Sequence, residues 1–104
     1  LYFDKRRYII PIKGGTGQKT TEDLRGMVVH MIVRPDNEET MWSLVMLDKD
    51  DDEMIEIKNY TGRLDKYDGV PLGKDKQEKV TLVFTKVSAN EDIKVIFMTR
   101  EIDT

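Results

Sequence analysis

Two segments in the last quarter of the chain place the tightest limit on its fold. In Val80, Leu82 and Phe84, and again in Ile93, Val95 and Phe97, apolar residues occupy every second position, interleaved with Thr81, Thr85 and Lys94. A period of two turns one face to a core and the other to water, which is the pattern of a half-buried β-strand. The intervening Lys86-Val87-Ser88-Ala89-Asn90-Glu91 supplies turn residues, so the two segments are expected to form a hairpin. No segment sustains a 3.6-residue apolar period beyond about two turns.

The rest of the chain reads the same way. Residues 25–34 form a long strand, with Met27, Val29, Met31 and Val33 on one face and Val28, His30 and Ile32 on the other. Both faces are largely apolar, as in a central strand. Residues 35–39 are a turn cluster, 40–47 a second strand and 54–58 a third. Tyr8 to Ile12 is a short apolar run with Pro11 near its end; proline cannot donate to a ladder, so this is an edge strand or an extended arm. Gly14, Gly15 and Gly17 mark a flexible loop, and residues 59–77 a long one, with Tyr60, Leu64, Tyr67, Val70 and Leu72 available to pin it down. The expected fold is all-β and mainly antiparallel. It is a β-sandwich or a small jelly-roll-like barrel of about six to eight strands, with an extended N-terminal arm. Residues 1–13 are expected as the arm or edge strand, 14–24 as a Gly-rich linker, and 25–104 as a single β-sandwich domain.

At 104 residues the chain has room for one core and none for a separate cofactor domain. Its 17 basic and 20 acidic residues leave a net charge of −3, which argues against broad phosphate neutralisation on a nucleic acid. A local basic patch, Lys5-Arg6-Arg7, is the exception. Without cysteine there is no disulfide, zinc-thiolate site or thiol nucleophile. The longest apolar runs are broken by His30 and are too short to cross a bilayer as a helix.

Gly14-Gly15-Thr16-Gly17-Gln18-Lys19-Thr20 superficially resembles a phosphate loop. Gln18 separates the last glycine from the lysine, however, and a strand rather than a helix follows. Asp48, Asp50 and Asp52 alternate as in a calcium loop, yet the sixth position is Glu53 instead of glycine and the twelfth is Asn59 instead of glutamate. An exposed, charged hairpin loop accounts for them. His30 is the only histidine and lies mid-strand, where a hydrogen-bonded sheet residue is the ordinary reading. Trp42 falls in phase with Leu44 and Met46 and belongs to the core. Asn59-Tyr60-Thr61 matches a glycosylation acceptor. No catalytic residue, metal site or cofactor is expected, and the protein is expected not to be an enzyme.

Two binding readings remain. The leading segment Tyr2-Phe3-Asp4-Lys5-Arg6-Arg7-Tyr8 is basic and aromatic, the hinge Gly14-Gly15-Thr16-Gly17 follows, and a cysteine-free body ends in Val80–Phe84 and Ile93–Phe97. This organisation resembles that of the small β-sandwich accessory proteins of tailed-bacteriophage virions, such as capsid decoration or tail-adaptor domains. The resemblance implies a subunit that docks on a larger protein lattice through its arm and strand edges, forms homo-oligomers or larger assemblies, and resides in the virion. Tyr2, Phe3, Arg6, Arg7, Tyr8 and Ile10 are the expected partner-binding residues. The alternative is a carbohydrate-binding sandwich that uses Tyr60, Asp65, Tyr67 and Asp68 in the 59–77 loop. Fold alone does not separate the two.

Overall fold

The computed structural model of the chain describes residues 3–72 and 78–101. Nine strands, all paired antiparallel, form two sheets packed as a sandwich, and the described residues contain no helix. They are β1 (Phe3–Pro11), β2 (Gly17–Thr20), β3 (Gly26–Pro35), β4 (Met41–Leu47), β5 (Glu53–Thr61), β6 (Leu64–Asp65), β7 (Val70–Leu72), β8 (Thr81–Thr85) and β9 (Asp92–Arg100). One sheet has the order β1-β9-β3-β6, with β7 also pairing β3; the other has the order β2-β8-β4-β5.

The strand count exceeds the sequence expectation because short strands occupy stretches read as loop. Residues 14–24 contain β2, which pairs β8 from Gly17↔Phe84 to Thr20↔Thr81, so they are part of the sandwich instead of a linker. The long 59–77 loop begins as the end of β5, then contributes β6 and β7 to the edge of β3. Its anchors behave as side-chain volume requires: Val70 and Leu72 are buried, and Leu64 and Tyr67 pack against the core. Gly73 to Gln77, the end of that loop, lie outside the described residues.

The expected hairpin of the two alternating segments does not form. β8 lies in the four-stranded sheet and β9 in the five-stranded sheet, so residues 86–91 arch across the sandwich. Alternation reports that one face is buried, and both inner faces of a sandwich satisfy it equally. Leu82 and Phe84 enter the core from one side, Ile93, Val95 and Phe97 from the other, and all five are fully buried. Glu91 ties this arch to the β3–β4 turn. Its carboxylate accepts from the Asp36 N–H (2.7 Å), the Asn37 N–H (3.2 Å), Asn37 Nδ2 (3.0 Å) and the Thr40 hydroxyl (2.9 Å).

β1 is paired with β9 over its whole length, from Phe3↔Arg100 to Pro11↔Asp92. Tyr8, Ile10 and Ile12 are buried, and the Tyr8 ring meets Phe97 edge-on at 5.5 Å. The described part of residues 1–13 is therefore the first strand of the domain's own sheet. Its alternation explains why: apolar Tyr8 and Ile10 fall on the inward positions opposite Val95 and Ile93.

Candidate functional site

The outward face of the five-stranded sheet is where charge and exposed apolar surface coincide. Register fixes its rows. Lys5 stands beside Met98 and His30; Arg7 beside Ile96, Ile32 and Asp65; Ile9 beside Lys94 and Arg34. These side chains alternate with the core residues on the same strands, so they project together on the solvent side. They line a shallow concavity of about 530 Å³ whose floor is Ile9, Ile32 and Ile96 and whose rim is Lys5, Arg7, Arg34, Arg63 and Lys94. Ile9 is 53% exposed, the most exposed large apolar side chain among the described residues.

Five of the chain's 17 Lys and Arg residues thus surround one isoleucine floor, although the whole chain is acidic. Arg63 is engaged by Asp65 Oδ2 at 3.2 Å. Among the described residues, Lys5, Arg7, Arg34 and Lys94 have no carboxylate within ion-pair reach. Cations around an aliphatic floor suit a ligand that carries both negative charge and aliphatic surface.

His30 sits at the margin of this face. Its Nε2 lies 2.6 Å from Asp65 Oδ1, joining β3 to β6. The His30 hydrogen bond, with Arg63 as a second contributor, holds the Asp65 carboxyl below its usual range. His30 therefore fastens the crossover segment to the sheet.

The strand β1 also offers main-chain groups. The Ile12 N–H donates to the Glu91 carbonyl at 2.9 Å. Antiparallel alternation then turns the N–H and C=O of Asp4, Arg6, Tyr8 and Ile10 toward β9, and those of Lys5, Arg7 and Ile9 toward the open side of the sheet. The Lys5 N–H is capped by Asp4 Oδ1 at 3.0 Å, and Pro11 has no N–H. The amides of Arg7 and Ile9 have no partner among the described residues.

The residues expected to bind a partner divide between the two sides of β1. Arg7 faces outward within the concavity. Arg6 is held by Asp4 (2.6 Å) and Glu22 (3.1 Å), and the Tyr8 hydroxyl donates to Glu22 at 2.6 Å. Burial, reinforced by Glu22, pushes the Tyr8 phenol up, while the Tyr8 hydrogen bond lowers the Glu22 carboxyl. Ile10 is core, Phe3 pairs across from Arg100, and Tyr2 lies outside the described residues. Tyr8 and Ile10 cannot reach a partner without unfolding the sheet.

The residues of the carbohydrate reading are not brought together on one sheet. Tyr60 lies in the four-stranded sheet, where its ring covers Trp42 at a centroid distance of 5.3 Å. Asp65 lies in the other sheet, bound to His30 and Arg63. Tyr67 packs on the core and Asp68 is exposed in the β6–β7 connection. The acidic loop is an Asx turn in which Asp48 Oδ1 accepts from the Asp50 and Asp52 amides. Among the described residues no group of three or more His, Cys, Asp or Glu side chains is placed to hold a metal ion. Among the described residues no helix is long and apolar enough to cross a membrane.

Sequence reasoning found Lys5 and Arg7 but missed Ile9, Ile32, Arg34, Arg63, Lys94 and Ile96 as their companions. One signal was available: Ile96 and Met98 are large apolar residues on the side of their strand that also carries Asp92, Lys94 and Arg100. The pairing that sets it between Arg7 and Ile32 is a tertiary fact. No protein-family model, curated protein or solved structure matches this chain.

Proposed function

We propose that this chain is a non-enzymatic docking protein that fastens to a larger protein assembly through the outward face of its five-stranded sheet. The observation that carries the reading is the ring of Lys5, Arg7, Arg34, Arg63 and Lys94 around Ile9, Ile32 and Ile96. Such a surface gains long-range steering from its charge and binding energy from its aliphatic centre. A virion is the setting that the chain's organisation suggests, as a decoration or tail-adaptor subunit, with homo-oligomers within the assembly. The partner presents acidic residues around an apolar contact. A nucleic acid fits less well, because the floor is aliphatic and the aromatic residue of the lining, Tyr8, is buried with its hydroxyl held by Glu22, leaving little ring surface for base stacking. A carbohydrate reading draws less support, because Tyr60 and Asp65 lie in different sheets.

The test is affinity capture from native extract with the wild-type chain and with an Arg7→Glu/Arg34→Glu variant, each at low and high salt, paired with light scattering of the isolated chain. Retention of a defined protein species by wild type at low salt, with loss in the variant, is the expected result. Equal retention by both baits, or recovery of nucleic acid or glycan in place of protein, overturns the reading.

A further inference from the structure

We infer that the partner is taken up as an added β-strand: an extended acidic segment pairs antiparallel with the open edge of β1, using the free main-chain groups of Arg7 and Ile9. The inference rests on the docking reading and specifies what that face receives.

Three observations carry it. First, β1 is a nine-residue strand that, among the described strands, is paired on one side only. An edge of that length is a template for another strand unless something blunts it. Second, the blunting is confined to its ends. Asp4 caps the Lys5 N–H and Pro11 removes a donor, while the Arg7 and Ile9 amides between them have no partner among the described residues. The opening is therefore a short ladder segment that accepts a few residues of extended chain. Third, the outward side chains beside that opening are Lys5, Arg7 and Ile9, continuous with Lys94 and Ile96. Cross-strand neighbours of opposite charge stabilise a pair and like charges destabilise it.

The same charges disfavour one occupant. Two copies joined antiparallel through β1 in a register that pairs Lys5 with Arg7, or Arg7 with Arg7, would set like charges opposite each other, and every register brings two cationic rows together. The edge therefore favours an acidic strand over a second copy. Nucleic acid satisfies the cations but has no amides and carbonyls at ladder spacing for Arg7 and Ile9.

Antiparallel addition fixes the preferred outward row: an aliphatic residue opposite Ile9, then carboxylates opposite Arg7 and Lys5. The probe is a terminally blocked heptapeptide, Thr-Val-Thr-Glu-Thr-Glu-Thr, titrated into the full chain and followed by amide NMR and hydrogen exchange. At saturation, exchange at Arg7 and Ile9 slows by at least about tenfold, while Tyr8 and Ile10, already bonded to β9, are unchanged. N-methylating the two glutamate amides, which face β1, weakens binding about tenfold or more; methylating the threonines on either side of the first glutamate, which face away, does not. Arg7→Glu abolishes binding with the rest of the spectrum intact.

Equal binding by all three peptides without protection at Arg7 and Ile9 overturns strand addition and leaves face docking standing. Failure of every peptide while the wild-type chain still captures its partner in an Arg7-dependent way has the same meaning. Failure of both experiments removes the docking reading itself. Displacement of the peptide by a deoxythymidine oligomer that binds more tightly overturns the acidic-polypeptide assignment.

Discussion

The indole N–H of Trp42 donates a 2.8 Å hydrogen bond to the carbonyl of Gly62, the residue at which the chain leaves β5 for the opposite sheet. The Gly62 N–H in turn donates to Thr40 at 2.8 Å. Gly62 has φ +76°, and a Cβ there would lie 2.5 Å from the Glu38 carbonyl. One fully buried side chain and one left-handed glycine thus define the crossover that presents Arg63 and Asp65.

Trp42→Phe keeps an aromatic ring beside Phe84 but orphans the Gly62 carbonyl, at a cost of about 1–3 kcal/mol. Gly62→Ala meets both the positive φ and the Glu38 carbonyl and costs more than about 1 kcal/mol. Because the two changes strike one junction, the double variant loses less than their sum. Denaturant midpoints of the four proteins check this; strict additivity would contradict the shared junction.

Glu91 makes the fold acid-sensitive. Burial pushes its carboxyl up, but the hydrogen bonds from Asn37, Thr40 and Asp36 outweigh that and hold it below its ordinary value of 4.5. A group whose pKa is lowered on folding contributes fully above the unfolded value and loses that contribution as pH falls through the folded one. Wild-type stability should therefore decline below about pH 4.5. Glu91→Gln should lose about 1 kcal/mol near neutrality, discounted for partial solvation, and show a flatter acid limb. Chemical denaturation between pH 3 and 7 measures both.

Removing residues 1–13 takes Tyr8, Ile10 and Ile12 out of the core. Burying each such side chain contributes about 1.5–3 kcal/mol, so the loss approaches the whole stability of a small domain, about 5–15 kcal/mol. Loss of cooperative unfolding and of near-ultraviolet dichroism is expected. A folded, soluble truncation would show that β1 is dispensable.

Lys94→Glu separates fold from docking. Lys94 stands between Ile9 and Arg34 on the outward face, and its replacement turns a like-charge neighbour of Arg34 into an opposite one, a gain of about 0.2–1 kcal/mol. Thermal stability should hold or rise slightly at low salt while partner capture falls. A fall in both would assign Lys94 a structural role.

Fold class, core alternation and most long strands are legible in the sequence because the period-two pattern is imposed by burial. Trp42 in phase with Leu44 and Met46 is core, as its spacing predicts. Sheet membership is not legible: Phe84 and Phe97 carry the same local pattern and enter from opposite sheets. β2, β6 and β7 are two to four residues long, too short for alternation to rise above their glycines and charges. The candidate site was half visible, because Lys5 and Arg7 are two residues apart in sequence but far from Arg34, Arg63 and Lys94. Only the pairing of β1 with β9, of β9 with β3 and of β3 with β6 collects them.

That pairing also dictates a timetable. β9 lies between β1 and β3, so during synthesis the earliest strand waits, with Tyr8 and Ile10 uncovered, until nearly all the described chain has been made. The second sheet waits as well, since β8 joins β2 to β4. Neither half can close early on the ribosome. The described strands therefore close late and as a unit, slowly for a sandwich of this size, and Tyr8 and Ile10 are open to off-pathway contacts in the interval.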